Sequence, residues 1–295
     1  MPGGFVVVVN PHAGVGRAAA ALRAACARLG INASDAIETT LDEGFATRLG
    51  VAIAAAAAPV TVVCVGGDGT LSLVVNALSS PGSVRLAIVP AGSGNDFGVA
   101  LGIDSKGKAL DAAAGARTRR VDMGTINGRR FVNCVGMGLD GEIARSAARI
   151  RQRGLARGLS YYAAALAGLW QVRPVGATFE SPSFSGRIED LLMLTVGNGP
   201  WYGGGYHGAP NAVIDDGVLD CHAFANLPGG FKRLALMERI RKGTHLSHPV
   251  VTTLRTPTLK VVFDRELAMH VDGELTAATS ADIAVVNGGL SFAVP

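Results

Sequence analysis

The chain lacks a membrane-spanning run, a basic leader, a paired cysteine motif and a strong charge of either sign. Its longest apolar stretch, Val51 to Val65, is broken by Pro59 and polarised by Thr61. It falls short of the roughly 20 apolar residues a bilayer helix needs, and reads as an alanine-rich helix followed by a strand. The opening Met1-Pro2-Gly3-Gly4-Phe5 has no basic segment of the signal-peptide kind. Cys26, Cys64, Cys134 and Cys221 are scattered with no C-x-x-C spacing. That pattern fits reduced, structural thiols in a cytoplasmic protein. Net charge is only +4, compatible with a nucleotide or an anionic membrane surface. No RNA- or DNA-binding motif occurs, so no nucleic acid partner is expected. With 48% hydrophobic and 17% charged residues, gross disorder is excluded. A length of 295 residues leaves room for two domains with their own cores.

Glycine, by contrast, is abundant. The 40 glycines exceed the usual share of about 7% and gather at strand ends and turns without a collagen-like period. The first third alternates short apolar runs with helical stripes: strand Phe5–Val9, helix Arg17–Leu29 ended by Gly30, helix Gly44–Ala58, strand Val60–Val65, helix Thr70–Leu78 and strand Arg85–Val89. A short helix at Lys106–Ala114 and a strand at Arg119–Met123 follow. Alternation of this kind predicts a parallel sheet covered on both faces. Near residue 123 the pattern changes. Asn127-Gly128 predicts a hairpin, and from Gly176 onward β-like runs predominate. These are Leu191–Val196, Val218–Phe224, Thr258–Phe263, Leu267–Val271, Ile283–Val286 and Leu290–Val294, with Asn287-Gly288-Gly289 as a second hairpin turn. Helices interrupt them around Gly141–Trp170 and Gly230–Arg241. The expectation is an α/β nucleotide-binding domain over residues 1–122 and a mainly antiparallel β-sandwich over 123–295. An uncovered antiparallel edge could pair with a second copy, which leaves a homodimer open.

The densest chemistry lies at Gly66-Gly67-Asp68-Gly69-Thr70, directly after a buried strand. Glycines let the backbone approach a ligand, and their N–H groups form a nest for an anion such as phosphate. An aspartate in such a turn calls for a divalent cation between carboxylate and phosphate, which points to phosphoryl transfer. Two more loops follow strands. Asn10-Pro11-His12-Ala13-Gly14-Val15-Gly16 opens a helix, where a phosphate loop and a structural turn both remain open. Gly92-Ser93-Gly94-Asn95-Asp96-Phe97 follows the strand at Arg85–Val89, and its Asn-Asp pair on local grounds also reads as a helix cap. All three sit at carboxyl ends of parallel strands, where α/β sheets bind ligands.

These three loops together resemble the nucleotide motifs of the diacylglycerol kinase catalytic-domain family, in its soluble bacterial branch, related to sphingosine and ceramide kinases. The likeness continues through Asp122-x-Gly124, Phe131-x-Asn133, Gly136-x-Gly138-Leu139-Asp140, Gly197-Asn198-Gly199 and Gly203-Gly204-Gly205 to Pro210-x-Ala212, Asp215-Asp216-Gly217-x-Leu219-Asp220 and Asp272-Gly273-Glu274. Gly-Gly-Asp-Gly-Thr alone is shared with NAD kinases, whereas the ordered set is far more specific. The resemblance implies a two-domain kinase with an NAD kinase-like α/β domain. ATP would lie over the N-terminal sheet and a lipid hydroxyl in the cleft between domains. It implies Asp272 as general base, with Glu274 beside it, and Asp68 as the aspartate on nucleotide-bound magnesium. Asn10, Gly14, Gly16, Gly66, Gly67, Gly69, Thr70, Gly92, Ser93, Asn95 and Asp96 would line the nucleotide pocket. Asp216, with the carbonyls of Val213 and Val218, matches a structural magnesium site. In related sphingosine kinases the base role belongs to the aspartate of Gly-Asp-Gly, which makes Asp68 the rival base.

The chain departs from the pattern in two places. Ser93 stands where threonine is usual, and Gly98-Val99 where Ala-Arg is common. The second change removes a positive charge, for which Arg17 is a candidate substitute. Arg145, Arg149, Arg153 and Arg157, with Arg151, could form a basic stripe for anionic lipid head groups at the membrane surface or an ordinary solvated face. His245-x-x-His248 is followed at once by Pro249 with no third ligand, so no metal is read there. The sequence therefore predicts an ATP- and magnesium-dependent kinase for diacylglycerol or a similar lipid, cytoplasmic and peripheral to the membrane. A NAD kinase-like enzyme and a nucleotide-binding regulator without turnover are the alternatives.

Overall fold

The structure, a computed structural model, describes residues 4–14, 16–42, 44–152, 169–170 and 172–295. Runs of β-branched residues without polar alternation form strands covered on both faces. Phe5–Val9 (β1), Thr61–Gly66 (β3) and Arg85–Pro90 (β4) lie side by side in parallel, with Ile37–Glu38 (β2) at the outer edge. Helices Arg17–Leu29 (α1), Gly44–Ala55 (α2), Asp68–Ala77 (α3), Asp96–Ala100 (α4) and Lys106–Ala114 (α5) return between them. Their inward residues, among them Ala21, Leu49, Leu71, Val74, Phe97 and Ala109, join the strand valines in one core.

The second half is antiparallel, as expected. Thr118–Ile126 (β5) and Arg129–Phe131 (β6) form a hairpin through Asn127 and Gly128, at φ 48° and 80°. Two successive positive φ angles are the geometry for which Asn-Gly is selected. Cys134–Gly138 (β7), Leu139–Gln152 (α6), Val175–Ser181 (β8), Phe184–Gly197 (β9), Leu219–Ala225 (β10), Gly230–Lys242 (α7), Val251–Thr256 (β11), Thr258–Val271 (β12) and Glu274–Ala293 (β13) follow. One face of these strands buries Phe131, Leu194, Phe263 and Ile283. The other packs Met193 and Phe224 under α6 and α7 through Leu139, Ile143, Leu236 and Ile240.

The expected turn at Asn287-Gly288-Gly289 is not a hairpin. β13 runs through it, with a register shift between Val286 and Leu290 against β5. The strand has no freedom to reverse, because it is paired beyond the shift to β5 and, at Ser291 and Phe292, in parallel to β4. Gly288 instead donates its N–H to Asp122 Oδ1 at 2.7 Å, which pins a bulge. Likewise Thr258–Phe263 and Leu267–Val271 are one strand with a shift between Val262 and Leu267. Through β13 the described strands form one hydrogen-bonded network, β11-β10-β9-β7-β12-β13-β4-β3-β1-β2. The C-terminal strand thus stitches the antiparallel layer to the parallel one, and Leu290, Phe292 and Ala293 sit in the first core. No helix among the described residues is long and apolar enough to cross a membrane.

Candidate active site

Adjacent parallel strands deliver the three glycine loops to one sheet edge. A side chain at Gly14, where φ is +62°, would place Cβ 1.9 Å from the Ala91 carbonyl oxygen, so the first loop lies against the third. A Cβ at Gly92 would sit 2.6 Å from Gly67 Cα, so the second and third loops also abut. The N–H groups of Ala91 and Gly92 donate to the Gly66 carbonyl at 2.7 and 3.1 Å. Asn10 and Asn95 also shape the loops. Asn10 Oδ1 accepts the His12 N–H at 3.0 Å, and Asn95 exchanges two 3.0 Å bonds with the Gly92 backbone. Gly16 begins α1 with φ 82°. Gly69 and Ser93 are exposed, while Thr70 is buried against Gly66 with its hydroxyl unpartnered among the described residues.

Three carboxylates converge beside these loops. Asp68, the first residue of α3, accepts the N–H groups of Asp96 and Phe97 at 3.0 Å each, so it caps α4. Asp96 is buried and accepts the Gly204 N–H of the second half at 2.8 Å. Burial pushes its carboxyl up to about 6 against the Gly204 hydrogen bond, and the Asp68 charge adds to the rise. Asp272 begins the two-residue turn between β12 and β13, with φ 49° followed by Gly273 at 84°. Its carboxylate accepts the N–H groups of Val132, Asn133 and Cys134 at 2.7, 2.9 and 3.0 Å. Desolvation raises it to about 6 despite those three donors, with the Asp68 charge again contributing. Asp68 and Asp96 lie together and the Asp68 charge also reaches Asp272, so these carboxylates have the chemistry to meet a cation and accept a proton.

Cys134 stands in the middle of this negative field. Burial, then the charges of Asp272, Asp140, Asp96 and Asp68, push its thiol well up. All four cysteines are buried and free, and burial takes Cys64 up to about 12. They are inert structural thiols, as the sequence predicts.

Residues 4–126 match the diacylglycerol kinase catalytic domain, and residues 133–294 the YegS C-terminal NAD kinase beta sandwich-like domain. A "Diacylglycerol kinase" of Mycobacterium tuberculosis is 31% identical over 99% of this chain and 96% of its own length. The chain belongs to the family of YegS-like lipid kinases and diacylglycerol kinases. A Pseudomonas aeruginosa member, "Probable lipid kinase YegS-like", is 31% identical over 88% of this chain and 84% of its own. The fold agrees. A diacylglycerol kinase structure from Bacillus anthracis superposes with TM-score 0.69 at 20% identity, covering 99% of this chain and 97% of that one. Yeast NADH kinase shares the fold at TM-score 0.53 and 9% identity, over 100% and 84%.

In this lipid-kinase frame the remaining predicted residues fall in different places. Glu274 is ion-paired with Arg129, so its charge is already neutralised. Asp216, exposed, holds Arg255 on one oxygen and the Val218 N–H at 3.2 Å on the other. The Arg255 guanidinium thus occupies one side of the Asp216 carboxylate, and Val213 is exposed. No cluster of three metal-binding side chains occurs among the described residues. Arg17 lines a cavity of about 240 Å³ with Pro90, Asn95, Val99 and Lys106. It therefore stands in the same pocket as Val99, where the usual arginine is missing. Of the arginine stripe, Arg145 pairs with Glu142 on α6 and Arg149 is exposed. The Arg151 side chain, and Arg153 and Arg157 entirely, lie outside the described residues. His245 is fully buried against His222, at 5.5 Å between rings.

Several residues that build the site carry no local signal. Gly204 and Asp140 stand within stretches that resemble the family, but neither their partners nor any role is legible there. Arg129 and His270 belong to no motif. Asp122, fully buried, ties Gly217 and Gly288 with 2.7 Å bonds, and Asn198 donates to the Asp122 and Val132 carbonyls at 3.0 and 2.7 Å.

Proposed function

We propose that this chain transfers the γ-phosphate of ATP, with magnesium, to a hydroxyl of diacylglycerol or a related lipid, giving phosphatidic acid or an analogue. The supporting observation is the convergence of Asp68 and Asp96 from sheet-end loops with Asp272 from the facing hairpin. They are near enough that the Asp68 charge raises both of the others. The glycine loops would hold the triphosphate through backbone N–H groups. Asp68 and Asp96 would hold the magnesium ion. Each Asp68 oxygen accepts one N–H and keeps a lone pair, and a divalent cation relieves the repulsion between the two carboxylates. When bound, magnesium neutralises charge on the transferring phosphoryl group.

Asp272 is the proton acceptor in this reading. A lipid alcohol is a poor nucleophile until its proton has somewhere to go. A carboxyl near 6 is ionised at neutral pH yet more basic than an exposed aspartate. Three backbone donors fix where it points, which supplies the positioning on which phosphoryl transfer depends. The lipid lies in a bilayer, so the chain would work at the cytoplasmic membrane surface as a peripheral enzyme.

Purified protein with labelled ATP and magnesium, given dispersed dioleoylglycerol or NAD, tests the proposal. Labelled phospholipid supports it. Formation of NADP overturns it in favour of a NAD kinase-like enzyme. Nucleotide binding with no product from any lipid alcohol makes the chain a regulator.

A further inference from the structure

Behind the Asp272 turn lies a second acid–imidazole pair that the proposed reaction does not use. His270 Nε2 is 3.2 Å from Asp140 Oδ2, with the side chains 6% and 2% exposed. A buried pair of this kind gains little stability, because desolvation offsets the attraction. The hydrogen bonds of the pair point to a role other than stability. His270 Nδ1 accepts the N–H of Gly273 at 3.4 Å. Gly273 is the second residue of the turn whose first is Asp272. One ring nitrogen therefore faces the turn as acceptor, and the other carries the proton toward Asp140.

The surroundings are built to admit this pair. His270 lies opposite Gly136 on β7, and a Cβ at Gly136 would lie 2.2 Å from Asp140 Oδ2 and 2.4 Å from His270 Nε2. Asp140 stands in the first turn of α6, where free N–H groups favour a carboxylate. Asp272 meanwhile holds φ 49°, a conformation that an L-residue adopts at a cost and keeps only when its surroundings fix it.

We propose that Asp140 and His270 are a positioning pair, holding the Asp272-Gly273 turn so that the Asp272 carboxylate faces the cleft in one orientation. The proposal rests on Asp272 being the proton acceptor. α6, the imidazole and the turn form one continuous linkage, Asp140 to His270 to the Gly273 N–H. Neither Asp140 nor His270 touches substrate, and their effect passes through Asp272.

Steady-state kinetics with ATP and dioleoylglycerol micelles test this. His270→Leu and Asp140→Leu should each lower kcat by about 10- to 100-fold, the scale of a misplaced reacting group, with KM for ATP unchanged. The double variant should be no worse than either single one, since both break one linkage. Asp140→Asn, which still accepts the Nε2 proton, should keep most of the turnover, and His270→Asn, which keeps the acceptor for Gly273, should exceed His270→Leu. A lower melting temperature with unchanged kcat overturns the proposal by leaving a merely structural role. Nitrogen-15 spectra of the unaltered protein give a readout independent of variants. They should show His270 with Nε2 protonated and Nδ1 bare, and the opposite tautomer overturns the proposal. Asp272→Asn is the separate control: if it retains turnover, the proton-acceptor reading fails instead.

Discussion

The carboxylate of Asp96 accepts the N–H of Gly204, 108 residues away, at 2.8 Å. One short side chain thereby ties the loop after β4 to the segment between β9 and β10. The same carboxylate is buried beside Asp68 and raised from 3.8 to about 6, chiefly by desolvation. A folded-state value above the unfolded one means that the fold prefers the protonated acid and loses stability as pH climbs through about 6. Asp96→Asn keeps an acceptor for Gly204 and removes the buried charge. It should therefore be more stable than the parent at pH 8, by about 2 kcal/mol, with the gain vanishing toward pH 4. Urea denaturation at both pH values measures it. Turnover should fall in the same variant, since its share of the cation site is gone.

The value of Asp272 near 6 predicts that kcat/KM rises with pH up to about 6 and then levels, because only the ionised carboxylate accepts a proton. Asp272→Asn should abolish that limb and lower turnover by at least about 100-fold. Asparagine tolerates the positive φ. Its oxygen can accept the Asn133 and Cys134 N–H groups, while its NH2 opposes only the Val132 N–H. A buried charge is removed at the same time, so the net change in stability at pH 8 should stay within about 1 kcal/mol. Calorimetric titration with a non-hydrolysable ATP analogue should give unchanged affinity. Equal loss of binding and turnover would move the proton acceptor to Asp68.

The contrast between these aspartates marks what a sequence carries. The glycine loops and Asp68 are legible because each sits directly after an apolar strand, and strand ends are where α/β sheets bind. The Asp272 turn, by contrast, reads locally as a hairpin tip and gains a role only through the family resemblance. Asp96 is legible as a pocket residue but not as a tether, because Gly204 reaches it only through the packing of two layers. The same limit explains Asn287-Gly288-Gly289. Its composition is that of a tight turn, and tertiary partners hold it as a bulge: Asp122 and Arg120 on β5 bond Gly288, and the strand pairs with β5 and β4. Asp140 and His270 are 130 residues apart, and nothing local to either announces the other.

A third prediction concerns acid stability. Desolvation lowers His222 and His245 from 6.5 to about 4, and they sit face to edge in the core. The folded chain keeps both neutral while the unfolded chain takes up protons below about 6.5. Stability should therefore fall as pH drops from 6.5 toward 4, by roughly 3 kcal/mol for each histidine. His222→Phe, similar in size and unable to titrate, should remove about half of that slope in urea denaturation measured from pH 7 to 4.5. An unaltered slope would mean that other groups carry the acid sensitivity.

The glycines of the second and third loops separate into two kinds. A Cβ at Gly92 would meet the Gly67 backbone at 2.6 Å, and backbone cannot rotate aside as a side chain can. Gly92→Ala must push the two loops apart and should cost about 1–3 kcal/mol of stability, as overpacking does. Gly69 is different: it lies exposed in the first turn of α3, and a methyl group added there would meet nothing within 4 Å beyond its own helix backbone and chain neighbours. Alanine there restricts the unfolded chain and should raise stability by up to about 1 kcal/mol. If the open space over Gly69 is where the triphosphate comes close to the backbone, Gly69→Ala should weaken ATP binding by about 10-fold while melting at a higher temperature. Calorimetry on the pair distinguishes a glycine kept for the fold from one kept for the ligand. A Gly69→Ala variant with parental ATP affinity would move the phosphates away from this loop.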